Sequence, residues 1–104
     1  MEDIDRCLDQ ADLQQLSDDL KILGHPIRLQ ILDVLSQSEG RACVCDLEAE
    51  LPIKQPTISH HLRILSAAGL VEVQRDGLWA YYFIRRDALS AMKARINSNL
   101  AAIN

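Results

Sequence analysis

Leu13, Leu16, Leu20 and Leu23 recur at alternating spacings of three and four, with Asp and Gln between them, the period that gives a helix one apolar face. The pattern predicts a helix over about 5–23, broken by Gly24. Pro26 then stands where a first helical turn tolerates proline, ahead of Ile27, Ile31, Val34 and Leu35, so a second helix is expected to end near 38–40. Asp46 reads as the N-cap of a short third helix, with Glu48 and Glu50 favourable in its first turns and Pro52 closing it after Leu51. A tight turn leads to Gln55 and Pro56, the start of a fourth helix over 55–68 whose Ile58, Leu62 and Leu65 face inward and which Gly69 ends. Two short helices joined by a tight turn make a helix-turn-helix.

From Leu70 the period shortens. Segments 70–75 and 78–84 are rich in β-branched and aromatic residues, and Asp76-Gly77 between them is a two-residue hairpin signal. The hairpin reads as a wing. From about Arg86 the helical period returns, with Leu89, Met92, Ile96, Leu100 and Ile103 forming an apolar stripe. The expected fold is mainly α with a small β-hairpin: a winged helix-turn-helix of about five helices and a two-stranded wing. At 104 residues and 48% apolar composition, one domain over 1–104 with one core is expected. Such a small core has little need for apolar stripes on both terminal helices, so these are expected to dimerise the chain.

Charge sharpens the reading of the middle. The net charge is −4, yet residues 53–86 carry +3 and no acidic residue stands between Lys54 and Val71. A polyanion is steered to that segment. The fourth helix presents Lys54, Gln55, Thr57, Ser59, His60 and Arg63 at its start or opposite its apolar face, short polar and cationic groups that reach base edges and phosphates in a major groove. Arg75 near the hairpin tip is placed to hold flanking backbone. Sequence-specific binding to double-stranded DNA is the expected function, with 55–68 as the recognition helix. No apolar run suffices to span a bilayer and the first 20 residues are acidic and polar, so a cytoplasmic protein without a membrane partner is expected.

Three cysteines, Cys7, Cys43 and Cys45, are an odd number, and free thiols rather than a disulfide are expected. On a regular helix residues i and i+2 point about 200° apart, whereas in an extended segment they share a face. If Asp46 is the N-cap, Cys43 and Cys45 precede the helix and converge; if both lie inside it, convergence requires local unwinding. Two soft thiolates favour thiophilic ions over Mg²⁺ or Ca²⁺. His60 and His61 diverge by about 100° on a helix and suit no shared ion; His61 is expected packed and His60 exposed.

The segments His25-Pro26-Ile27-Arg28-Leu29-Gln30-Ile31-Leu32, Cys43-Val44-Cys45-Asp46-Leu47, Gln55-Pro56-Thr57-Ile58-Ser59-His60-His61-Leu62 and Gln74-Arg75-Asp76-Gly77-Leu78-Trp79-Ala80-Tyr81-Tyr82 together resemble the ArsR/SmtB metalloregulatory repressors. The resemblance covers most of the chain. It implies a homodimeric transcriptional repressor that docks on an inverted-repeat operator, its two recognition helices about one DNA turn, roughly 34 Å, apart, and that is released when an ion binds. In arsenic-responsive members the motif often reads Cys-Val-Cys-Asp-Leu-Cys; Glu48 stands here in place of the third cysteine. Lead- and cadmium-responsive members imply Cys7 as a third ligand, from the other subunit, although the second N-terminal cysteine common there is Ala11 here. Family members that sense Zn(II) or Ni(II) on the last helix often use histidine there, and no histidine follows His61.

Three thiolates at Cys7, Cys43 and Cys45 suit the trigonal-pyramidal chemistry of As(III) and Sb(III), and also Pb(II), while tetrahedral Zn(II) or Cd(II) wants a fourth donor. The expected inducer is As(III) or Sb(III), with Pb(II) or Cd(II) as alternatives, and no permanently bound cofactor. A thiol-redox or reactive-sulfur sensor ranks lower because an i, i+2 disulfide is expected to be strained. A small thiol enzyme ranks last: six residues after Cys7, Cys43 and Cys45 stand Leu13, Ala49 and Leu51, so a C-x5-R phosphatase-like loop is missing.

Overall fold

The computed structural model describes residues 8–37 and 41–103. Helix α1 spans Gln10–Leu23, α2 Pro26–Gln37, α3 Val44–Glu50, α4 Gln55–Ala67 and α5 Arg86–Ala101, with strands β1 Val71–Asp76 and β2 Trp79–Ile84 between the last two helices. The winged helix-turn-helix is therefore present as expected. Most differences lie at element ends. Helix α1 begins at Gln10 because Asp9 caps it: the Asp12 N–H donates to the Asp9 carboxylate, and Asp12 accepts the Asp9 N–H in return. Of the expected first helix, Leu8 and Asp9 are not helical, and residues 5–7 lie outside the described ones.

The α1–α2 corner depends on glycine. The Gly24 N–H donates to the Leu20 carbonyl at 2.7 Å, and a Cβ on Gly24 would sit 2.7 Å from that same oxygen. Any larger residue forces the corner open.

Ile31 and Leu35 from α2, Leu47 from α3, Ile58, Leu62 and Leu65 from α4, and Leu70 before β1 are fully buried. These are largely the positions that the helical period directs inward, and they fix α4 against α2 and α3. The terminal helices pack on each other through a polar contact. Asp19 is buried, and its carboxylate accepts from Arg95 Nε and Nη2, both at 3.2 Å, and from Gln15 Nε2 at 3.0 Å. Outside this contact, Leu13, Leu20, Leu100 and Ile103 remain exposed. Only part of each terminal stripe is used within one chain.

Strands β1 and β2 pair antiparallel from Val71↔Ile84 to Asp76↔Trp79. The two loop residues are thus Gly77 and Leu78, one place later than the expected Asp76-Gly77. Gly77, at φ +62°, takes the first central position, where a hairpin turn demands the left-handed region.

Candidate nucleic-acid interface and thiol site

Helix α4 keeps its apolar residues inside and its polar ones out. Lys54, Gln55, Thr57, His60 and Arg63 are exposed, while Ser59 is only half-exposed. Arg75 is exposed on β1, one residue before the strand's end. These seven residues were expected to face DNA, and six of them are open to a ligand. At the wing base, Arg85 Nη2 lies 3.4 Å from Asp87 Oδ2, and Arg86 Nη2 donates to the Ser36 carbonyl.

The start of α4 carries a contact that sequence spacing did not disclose. The Gln55 N–H donates to Glu48 Oε2 at 3.2 Å, so a carboxylate from α3 occupies one of the donors at the end where a phosphate was expected to bind. Glu48 precedes Gln55 by seven residues across a turn, a tertiary contact with no periodic signature. It links α3 to α4 directly.

His61 is buried at 6% exposure while His60 is exposed, as their angular separation required. The His25 ring lies 4.3 Å from the His61 ring, and His60 lies at 5.0 Å. His25 Nδ1 accepts the Ile27 N–H at the start of α2. Burial first, then the neighbouring His25, Arg28 and His60, hold the His61 pKa below its ordinary value. His61 Nδ1 and Arg28 Nε have no hydrogen-bond partner among the described residues.

The thiol pair sits at the start of α3. Its N-cap is Cys43, not Asp46, with extended backbone at φ −83° and ψ 169°. The Asp46 N–H donates to Cys43 Sγ at 3.3 Å, and the Cys43 N–H donates to Asp46 Oδ2 at 3.0 Å. This is a capping box with a thiol sulfur where a hydroxyl usually stands. Cys43 is therefore outside the helix and Cys45 inside its first turn, a boundary that lets the pair converge without unwinding.

Convergence goes further than expected. Cys43 and Cys45 are joined in a disulfide, with Cα atoms 5.3 Å apart, within the ordinary span for such a bond. The expectation of free thiols is thus corrected for this pair, because the extended cap residue turns its side chain toward the first helical turn. Opened by reduction, the same atoms form a donor set. The ligand atoms of Cys43, Cys45 and Asp46 lie within 4.8 Å of one another, and two sulfurs with one carboxylate oxygen fit a thiophilic ion better than a hard one. Asp46 was missed as a donor; its place three residues after Cys43 was the available signal. Cys7 lies outside the described residues.

Comparison with known proteins agrees with this architecture. Residues 25–73 match the sequence model described as "Bacterial regulatory protein, arsR family". The chain is 40% identical over 91 residues to the arsenical resistance operon repressor of Staphylococcus xylosus, covering 88% of this chain and 82% of that one. It is 36% identical over 87 residues to the cadmium resistance transcriptional regulatory protein CadC of Listeria innocua, covering 83% and 72%. Among solved structures, the homodimeric winged helix-turn-helix DNA-binding domain of Mb0332 from Mycobacterium bovis, a possible ArsR-family transcriptional regulator, superimposes with a TM-score of 0.67. Its identity is 32%, covering 90% of this chain and 85% of that one.

Proposed function

Since this chain belongs to the ArsR family of bacterial regulatory proteins, which are DNA-binding transcriptional repressors and not enzymes, we propose that it is a homodimeric repressor released from its operator by a thiophilic ion. Helix α4 reads the major groove with Lys54, Gln55, Thr57, Ser59, His60 and Arg63, and Arg75 on the wing holds flanking backbone. The dimer buries the exposed Leu13, Leu20, Leu100 and Ile103, apolar positions that one chain leaves in water. The related Mb0332 domain is homodimeric. No described helix is long and apolar enough to cross a membrane, and the repressor acts in the cytoplasm.

The observation that carries the inducer reading is the Cys43, Cys45 and Asp46 cluster at the start of the helix-turn-helix. As(III) or Sb(III) is the preferred inducer and Pb(II) or Cd(II) the alternative, with Cys7 as a further donor. Coordination stabilises a conformation whose α4 helices no longer match both half-sites, and a few kcal/mol of such coupling suffices, since about 1.4 kcal/mol is tenfold. The test is anisotropy of a labelled operator duplex with reduced protein, titrated with As(III), Sb(III), Pb(II), Cd(II) and Zn(II). Cys43→Ser and Cys45→Ser are expected to bind the duplex normally and to ignore As(III). Retained release in the double variant refutes the assignment.

The closed disulfide favours a second reading, in which oxidation of the pair is itself the stimulus. Release by peroxide or persulfide, with none by As(III), selects that reading.

A further inference from the structure

Residues 41–43 connect the thiol pair to the wing. Buried Ala42 bridges to β2: its N–H donates to the Tyr82 carbonyl, and the Tyr82 N–H donates back to the Ala42 carbonyl, both at 2.8 Å. One residue earlier, the Arg41 guanidinium lies over the Tyr81 ring, 4.3 Å from its centroid. One residue later, Cys43 is the buried cap of α3 and half of the pair. A single β-bridge residue therefore stands directly before a thiol.

We propose that Arg41 and Ala42 couple the Cys43–Cys45 pair to the wing, so that closing the pair shifts β2 as well as α4. The proposal rests on the ion-released repressor reading and adds a second output to it. The Ala42 carbonyl lies in the peptide plane that it shares with the Cys43 N–H, so a closure that shifts the Cys43 backbone tilts that carbonyl and, through the Ala42 Cα, bears on the Ala42 N–H as well. Those two groups are committed to Tyr82. A buried backbone pair is costly to break, so β2 follows the displacement rather than letting go. The cation–π contact adds a second fixing point on the neighbouring side chain, which makes Arg41 a positioning residue: it touches Tyr81, not the ion.

The wing carries its own reporter. Trp79 is the single tryptophan of the chain and is exposed at the start of β2. The experiment compares three forms of the full chain: reduced, closed as a disulfide with diamide, which takes both thiol hydrogens and is itself reduced to the hydrazine, and closed with arsenite. Amide exchange at Ala42 and Tyr82 is expected to differ by about threefold or more between open and closed forms, with a shift in Trp79 emission. In Arg41→Gln, the ratio of duplex affinities between open and closed forms falls by about twofold to fivefold, the measure of one exposed cation–π contact. Duplex affinity of the open form and As(III) affinity stay within about twofold, and Tyr81→Leu reproduces the effect in a variant that leaves Arg41 intact.

If closed forms release the duplex while Trp79 and the two amides stay unmoved, the coupling is overturned and the repressor reading stands. If the disulfide moves the wing and As(III) does nothing, the coupling is upheld and the ion reading fails. If neither closure moves the wing or changes the affinity ratio, both are overturned.

Discussion

Replacing Glu48 by Gln isolates the charge that sits at the start of α4. Glu48 Oε2 accepts the Gln55 N–H at 3.2 Å, and Gln keeps an acceptor at that place while removing the negative charge. Two effects oppose each other. A carboxylate at a helix N-terminus stabilises the fold by about 0.3–1 kcal/mol, so E48Q is expected to melt a few degrees lower. The same carboxylate repels a phosphate approaching Lys54 and Gln55. At a separation of about 7 Å in water that repulsion is about 0.6 kcal/mol, roughly halved by screening at 0.1 M salt. Two protomers on one duplex double the gain. E48Q is therefore expected to bind duplex DNA about threefold more tightly at 0.1 M salt and up to about sevenfold at low salt, with the difference shrinking as salt rises. Fluorescence anisotropy across a salt series measures it, with thermal melts of both proteins alongside. An affinity equal to or weaker than the parent's in a folded E48Q would show that the start of α4 does not face the phosphate backbone.

Two further outcomes follow from the buried polar groups. His61 has a folded pKa below its unfolded value, so the unfolded chain binds the proton more readily. Stability is expected to be unaffected well above pH 6.5 and to fall as pH drops through about 6.5, the unfolded imidazole value. His61→Gln is expected to flatten that part of the melting temperature–pH profile; an unchanged slope between pH 7 and 5 refutes the assignment. Arg95→Met is expected to cost about 1–3 kcal/mol in urea unfolding, below the full buried-pair figure because Arg95 is partly exposed, since it leaves the Asp19 carboxylate buried with Gln15 alone. A loss below about 0.5 kcal/mol would place this contact among ordinary surface pairs.

The helices and the wing were legible because they depend on local period and composition. Ile58, Leu62 and Leu65 repeat at helical spacing, and the residues between them had to face out. The hairpin was off by one residue because Asp76-Gly77 and Gly77-Leu78 are both two-residue turns, and only strand register separates them. Thiols seldom cap helices, so composition points to Asp46 for that role, whereas Asp46 three places after Cys43 is the mark of a capping box that starts on the thiol. The Asp19–Arg95 clamp joins residues 76 apart, and the Glu48–Gln55 contact crosses a turn. Neither leaves a trace in periodicity, because both are set by how helices meet.

The sulfur that caps α3 also decides which cysteine variants are informative. Cys43 holds the Asp46 N–H through Sγ, so Cys43→Ala removes a helix cap together with a thiol, a change that costs about 0.5–2 kcal/mol by the measure of ordinary caps. A silent Ala variant would conflate blindness with damage. Serine keeps an acceptor at the same place, and only the contrast between Cys43→Ser and Cys43→Ala separates what the residue senses from what it builds.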